Sequence, residues 1–121
     1  MVDKLQPIDN FKDILKEGWL AKESRFFKSW RKRWFVLTPS HLFSFKEERI
    51  YKNPTEAINL KECTTVKSAE EDIHKENSFR IDSAAQTFYI QASSTSEKES
   101  WIGAIGKAMV RPSIPFEDDD Q

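Results

Sequence analysis

The stretch KESRFFKSWRKRWFVL, residues 22–37, sets Phe26 and Phe27 between Arg25 and Lys28, then places Arg31, Lys32 and Arg33 between Trp30 and Trp34 before running into Phe35, Val36 and Leu37. Alternate side chains of a β-strand point to opposite faces. Read with that period, Arg31 and Arg33 fall on the same face as Phe35 and Leu37, while Lys32 falls with Trp34 and Val36. In the preceding run, Lys22 shares a face with Leu20. Lys22, Arg31 and Arg33 therefore lie on the core-facing side of two strands, at the ends nearest the loop 24–29. Cations on that side cannot be buried without partners. The pattern predicts an open, wet mouth at this end, with the three cations converging on an anion. In a third run Leu42, Ser44 and Lys46 share a parity, so Lys46 is expected to reach the same mouth.

Working outward, seven runs rich in β-branched and aromatic residues read as strands: 17–23, 30–38, 41–46, 57–61, 63–68, 77–83 and 86–92. Turn-forming stretches such as TPSH, YKNPTE and DSAAQ separate most of them. After the last strand the apolar period changes to that of a helix, with Trp101, Ile102, Ile105, Ala108 and Met109 on one stripe. Ser94 and Glu97 have the spacing of a capping box that opens such a helix. The expected architecture is mainly β, an antiparallel meander closed by one C-terminal helix that lays Trp101 on the core. Residues 1–15 read as an N-terminal extension with a short helix after Asp9 or Asn10. Residues 111–121, RPSIPFEDDDQ, read as an acidic tail.

Composition narrows the function classes. A chain of 121 residues is one domain by length, and 38% hydrophobic with 32% charged content is that of a globular protein. Its single cysteine, Cys63, rules out an internal disulfide and fits a reducing compartment, so a cytoplasmic location is expected. The first residues carry no apolar signal segment, and the longest strongly apolar run, 34–37, is far short of a bilayer span, so membrane contact is expected to be peripheral. Net charge is −1, yet Lys16, Lys22, Arg25, Lys28, Arg31, Lys32 and Arg33 stand against only Glu17 and Glu23 within residues 16–33. A local field of this kind steers an anion even when the total charge is near zero. His41 and His74 fall in separate turns, and the three glycines form no phosphate loop. No metal-ligand spacing is visible, so neither an enzyme nor a cofactor is expected. Period-two parity accounts for the alternation of basic and aromatic residues without nucleic acid, and a pI near 6.1 argues against that partner. A monomer is expected.

KEGWLAK (16–22), SWRKRWFVL (29–37) and the closing helix around Trp101 together resemble a pleckstrin homology (PH) domain over residues 16–110. That resemblance implies a seven-stranded, bent antiparallel sandwich or barrel capped by a C-terminal helix. Within the family the likeness is to phosphoinositide-binding members such as those of protein kinase B and the cytohesins. Their K-x(n)-[KR]-x-R signature reads here as Lys22, Arg31 and Arg33. By resemblance, Lys22 and Arg33 hold inositol ring phosphates, Arg31 lies near the glycerol-linked phosphate, and Lys28 is an auxiliary contact. Ser44 stands where tight binders of 3-phosphorylated lipids often have Tyr, and Gln86 where some have a basic residue. Lys46 is a candidate substitute for the first.

The expected ligand is a 3-phosphorylated phosphoinositide of the cytosolic leaflet, PtdIns(3,4,5)P3 or PtdIns(3,4)P2. Arg25, Phe26, Phe27 and Lys32 are the expected membrane contacts, Phe26 and Phe27 by insertion. Folding of one phenylalanine back over the barrel end is the alternative. Trp19, Trp30 and Trp34 read as packing residues. The rival function is a protein-interaction module on the same scaffold, using Glu70, Glu71, Asp72 and the acidic tail.

Overall fold

The computed structural model describes residues 13–24 and 26–110. The expected N-terminal helix after Asp9 or Asn10, the acidic tail 111–121 and Arg25 lie outside the described residues. Seven strands form one antiparallel sheet: β1 (Lys16–Glu23), β2 (Trp30–Leu37), β3 (His41–Phe45), β4 (Glu56–Asn59), β5 (Cys63–Ser68), β6 (Ser78–Ser83) and β7 (Thr87–Gln91). Their spatial order is β4-β3-β2-β1-β7-β6-β5, so β4 and β5 are the edges. A 15-residue helix, Thr95–Met109, follows β7 and packs on β5 and β6. This is the architecture expected from the strand runs and the helical stripe.

Two details lie beyond that expectation. A 3-10 turn, Leu60–Glu62, takes up the end of the expected 57–61 strand, with the Asn59 side chain accepting a hydrogen bond from the Lys61 N–H at 3.0 Å. A single helical turn, α1 (Glu70–Ile73), follows β5 and stops at His74, whose φ of 55° is left-handed. The Thr95–Met109 helix is therefore α2.

The period-two reading of β1 and β2 holds in three dimensions. Their register pairs Leu20 with Arg33 and Lys22 with Arg31. Leu20, Phe35 and Leu37 belong to the main core with Leu42, Ile58, Phe79, Ile81 and Ile90, and Trp101 and Ile105 of α2 close it from above. Trp101 is 1% exposed, and removing so large a buried ring costs about 3–5 kcal/mol. The Ser94 hydroxyl accepts the Glu97 N–H at 3.1 Å and caps α2. Only this half of the expected reciprocal box forms among the described residues.

The outer face of β2 and β3 carries a second apolar cluster of Trp34, Val36, Phe43 and Phe45, with Ile14 and Tyr51 packed against it. Trp34 lies edge-on to Trp19, with centroids 5.3 Å apart, and Arg49 stacks over its ring. One carboxylate oxygen, Glu17 Oε1, accepts from both the Trp34 indole N–H at 2.9 Å and the Tyr51 hydroxyl at 2.7 Å. Burial, then the hydrogen bond and charge of Glu17, push the Tyr51 phenol up to about 12. Trp34 is the packing residue its spacing predicts, whereas Trp19 stays 38% exposed. Lys32 lies over Trp19 at 5.3 Å, so its charge remains at the surface of this outer face.

Lys98 is buried on α2, a position the apolar stripe does not predict. Its ammonium donates to Glu70 Oε2 at 3.0 Å and to the Ser68 hydroxyl at 3.2 Å, tying α2 to α1 and the end of β5. Glu70 also accepts the Asn77 N–H at 2.7 Å. Asn77 has φ 58° and precedes β6. The Lys98 hydrogen bond, then that of Asn77, hold the Glu70 carboxyl below the ordinary value of 4.5 despite some desolvation.

Two predictions follow from these contacts. The Lys98 side chain is 5% exposed and that of Glu70 is 40% exposed, so losing the acid strands a buried cation, while losing the cation leaves a carboxylate that water reaches. Glu70→Gln should therefore lower the urea midpoint more than Lys98→Met does, and the reverse order would refute the asymmetry. Because the folded pKa of Glu70 is depressed, its contribution is complete above the unfolded value and is lost as pH falls through the folded one. The gap between wild type and Glu70→Gln should accordingly be widest near about pH 7 and shrink toward about pH 3. For the outer cluster, Glu17→Gln should bring the Tyr51 titration midpoint down toward the ordinary tyrosine value near 10, followed by ring NMR shifts.

Candidate functional site

The loop joining β1 to β2 is closed tightly on itself. Ser24 N–H donates to Ser29 O at 2.6 Å, Lys28 N–H to Ser24 O at 3.2 Å, and Phe27 N–H to the Ser24 hydroxyl at 3.3 Å. Lys28 takes a left-handed φ of 55°, a conformation costing a non-glycine residue about 1–2 kcal/mol. The closed turn puts Phe26 and Phe27 at its tip, 79% and 75% exposed. Both rings are largely exposed, and Phe26 also borders the cavity below.

Beneath this loop the end of the barrel opens into a cavity of about 340 Å³ lined by Lys22, Ser24, Phe26, Arg31, Arg33, Ser44, Thr55 and Glu56. The expected trio of cations thus shares one cavity, as the parity of β1 and β2 requires. Among the described residues, neither Arg31 nor Arg33 is within ion-pair distance of a carboxylate. Arg33 donates to the Lys32 carbonyl at 2.9 Å. Lys22 differs: its ammonium lies 2.9 Å from Glu56 Oε1 and 5.6 Å from the Phe88 ring centroid. The floor is polar, with the buried Ser44 hydroxyl 2.7 Å from that of Thr55. Such a chamber presents forked guanidinium donors and a point-charge ammonium to a compact anion.

The remaining candidates are spread more widely. Lys46 is exposed beyond the end of β3 and does not line the cavity. Lys28 lines a smaller recess of about 130 Å³ behind β1, together with Gln86, Thr87 and Tyr89. Lys22 borders both. Lys32 is on the outer face, as its parity with Trp34 requires.

Glu56, Thr55 and Ser44 were not among the expected site residues, apart from Ser44 as a missing tyrosine. A signal for Glu56 exists in the sequence: it is two residues before Ile58, which is 3% exposed in the core, so the same alternation turns Glu56 inward. What the alternation lacks is the partner strand. The other titratable groups lie apart from the cavity. His41 stacks on Phe43 and its imidazole pKa is lowered by burial, while burial, followed by the nearby Glu62, raises the Cys63 thiol. No described helix is long and apolar enough to cross a membrane.

The sequence matches the PH domain family over residues 14–110. It is 35% identical over 109 residues to pleckstrin homology domain-containing protein 1 of Arabidopsis thaliana, covering 87% of this chain and 75% of that one. It is 37% identical over 93 residues to switch-associated protein 70 of Bos taurus, covering 77% of this chain but only 16% of the larger protein. Among solved structures, the carboxyl-terminal PH domain of pleckstrin superimposes with a TM-score of 0.69 at 34% identity, covering 79% of this chain and 96% of that one. The C-terminal pleckstrin domain in complex with D-myo-Ins(1,2,3,4,5)P5 gives 0.67 at 34% identity, covering 78% and 97%. The Slm1 PH domain in complex with phosphoserine gives 0.69 at 27% identity, covering 81% and 97%. With the strand order, the capping helix and a family match across nearly all described residues, this chain belongs to the PH domain family.

Proposed function

We propose that this PH domain is a phosphoinositide-binding module that recruits its parent protein from the cytoplasm to the cytosolic leaflet. The observation that carries the reading is the cavity in which Lys22, Arg31 and Arg33 meet beneath a loop bearing two exposed phenylalanines. Structures of pleckstrin and Slm1 domains with inositol pentakisphosphate and phosphoserine support a phosphate ligand. In this reading Arg33 and Lys22 hold ring phosphates and Arg31 the glycerol-linked one. Lys28 and Lys46 contribute from outside the cavity. The favoured lipids are 3-phosphorylated, PtdIns(3,4,5)P3 or PtdIns(3,4)P2.

Magnitudes are consistent with useful affinity. Charged hydrogen bonds contribute about 1.5–3 kcal/mol each, and micromolar binding needs about 8 kcal/mol. With a head group in the cavity, Phe26 and Phe27 face the bilayer interface, where burying one phenylalanine adds about 1.5–3 kcal/mol. Arg25, Lys28 and Lys32 each add about 1 kcal/mol near an anionic leaflet. The head group supplies specificity, and the loop supplies residence on the membrane.

Two experiments test this reading. In vesicle sedimentation, Arg31→Ala and Arg33→Ala should each reduce phosphoinositide-dependent binding by about tenfold or more while thermal unfolding is unchanged. A folded wild type that ignores every phosphoinositide would assign the scaffold to protein interaction instead. Phe26→Ser combined with Phe27→Ser should weaken vesicle binding by about tenfold or more and leave affinity for soluble inositol phosphates intact. Equal losses in both assays would contradict insertion.

A further inference from the structure

The Lys22–Glu56 pair has a geometry that stability does not explain. β1 and β4 are separated by β2 and β3 in the sheet, three strand spacings or about 14 Å if the sheet were flat. The bend of the sheet lets the two side chains meet at 2.9 Å across the open end of the barrel. Their side chains remain 15% and 28% exposed, and a pair in contact with water contributes only about 0–1 kcal/mol. Yet Glu56 is the only carboxylate among the described residues lining a cavity that otherwise gathers three cations. An acid placed there lowers the attraction for any polyanion, which makes it a discriminating element.

Resting on the phosphoinositide reading above, we infer that Glu56 determines specificity by recognising a free ring hydroxyl beside the phosphate held on Lys22. An ionised carboxylate accepts hydrogen bonds and cannot donate one. A ring hydroxyl at that position donates to Glu56 and leaves the phosphate next to it on Lys22, so Lys22 and Glu56 engage the ligand together. A phosphate at the same position faces Glu56 with like charge and pulls Lys22 away from its partner. The cavity therefore prefers the less phosphorylated of two head groups that differ at this one place. Of the two lipids named above, that is the bisphosphate. Ser44 and Thr55 do not supply the discrimination, because their hydroxyls are engaged with each other at 2.7 Å.

The test is calorimetric titration of Ins(1,3,4)P3 and Ins(1,3,4,5)P4 into wild type and Glu56→Gln. Glutamine keeps the shape and one acceptor oxygen but removes the charge. Wild type should favour the trisphosphate, and Glu56→Gln should tighten the tetrakisphosphate by about tenfold while moving the trisphosphate by less than about threefold. Equal tightening of both ligands would reduce Glu56 to a simple counter-charge for Lys22 and overturn the inference while leaving the binding reading intact. No change in either ligand would do the same. If neither protein binds either ligand, with intrinsic tryptophan fluorescence and the unfolding midpoint unaltered, the cavity reading itself falls and takes the inference with it.

Discussion

The antiparallel register of β1 against β2 is the constraint on which the molecule turns. It sets Leu20 beside Arg33 and Lys22 beside Arg31, so one face of the same two strands passes from grease to charge within two residues. The apolar end, Leu20 with Phe35 and Leu37, is sealed by α2 through Trp101 and Ile105. The cationic end is not sealed: Lys22 has Glu56, but Arg31 and Arg33 have no carboxylate partner among the described residues, and burying two such charges would cost more than the fold can supply. An open mouth is thus a thermodynamic requirement of the sequence, and a phosphate ligand is the chemistry that such a mouth suits. A slip by one residue would reverse both faces at once.

Two acids show how differently charge is used in one small domain. Glu70 neutralises Lys98, a buried residue of α2, and so ties the helix to α1. Glu56 meets a lysine that water still reaches, where the same contact adds little stability and changes what the cavity accepts. Glu17 plays a third part by gathering an indole and a phenol onto one oxygen in the outer cluster. Each of these carboxylates falls within what composition alone presents as a solvated charged surface.

The fold was largely legible in the linear chain. Alternation in 17–23 and 30–38 located β1 and β2 to within a residue, and the capping serine Ser94 with the stripe of Trp101, Ile105 and Ala108 located α2. The cavity's three cations followed from the same alternation. α1 was not legible, because a single turn of Glu70, Glu71, Asp72 and Ile73 carries no apolar period and is held by Lys98, nearly thirty residues away. Lys46, expected at the same mouth from its parity, lies exposed just past the end of β3, and Lys28, expected as an auxiliary contact, lines the neighbouring recess; strand parity says nothing of where a residue beyond the strand ends will sit.

The sequence by itself determined which face each strand residue presents, since that depends only on the two-residue repeat of an extended backbone. It also determined that positive charge would collect at one end of the core. Tertiary structure alone decided which side chains meet across that end. The contact between Lys22 and Glu56 joins strands three places apart, and it depends on the curvature of the sheet, a property of all its strands together that no local pattern records.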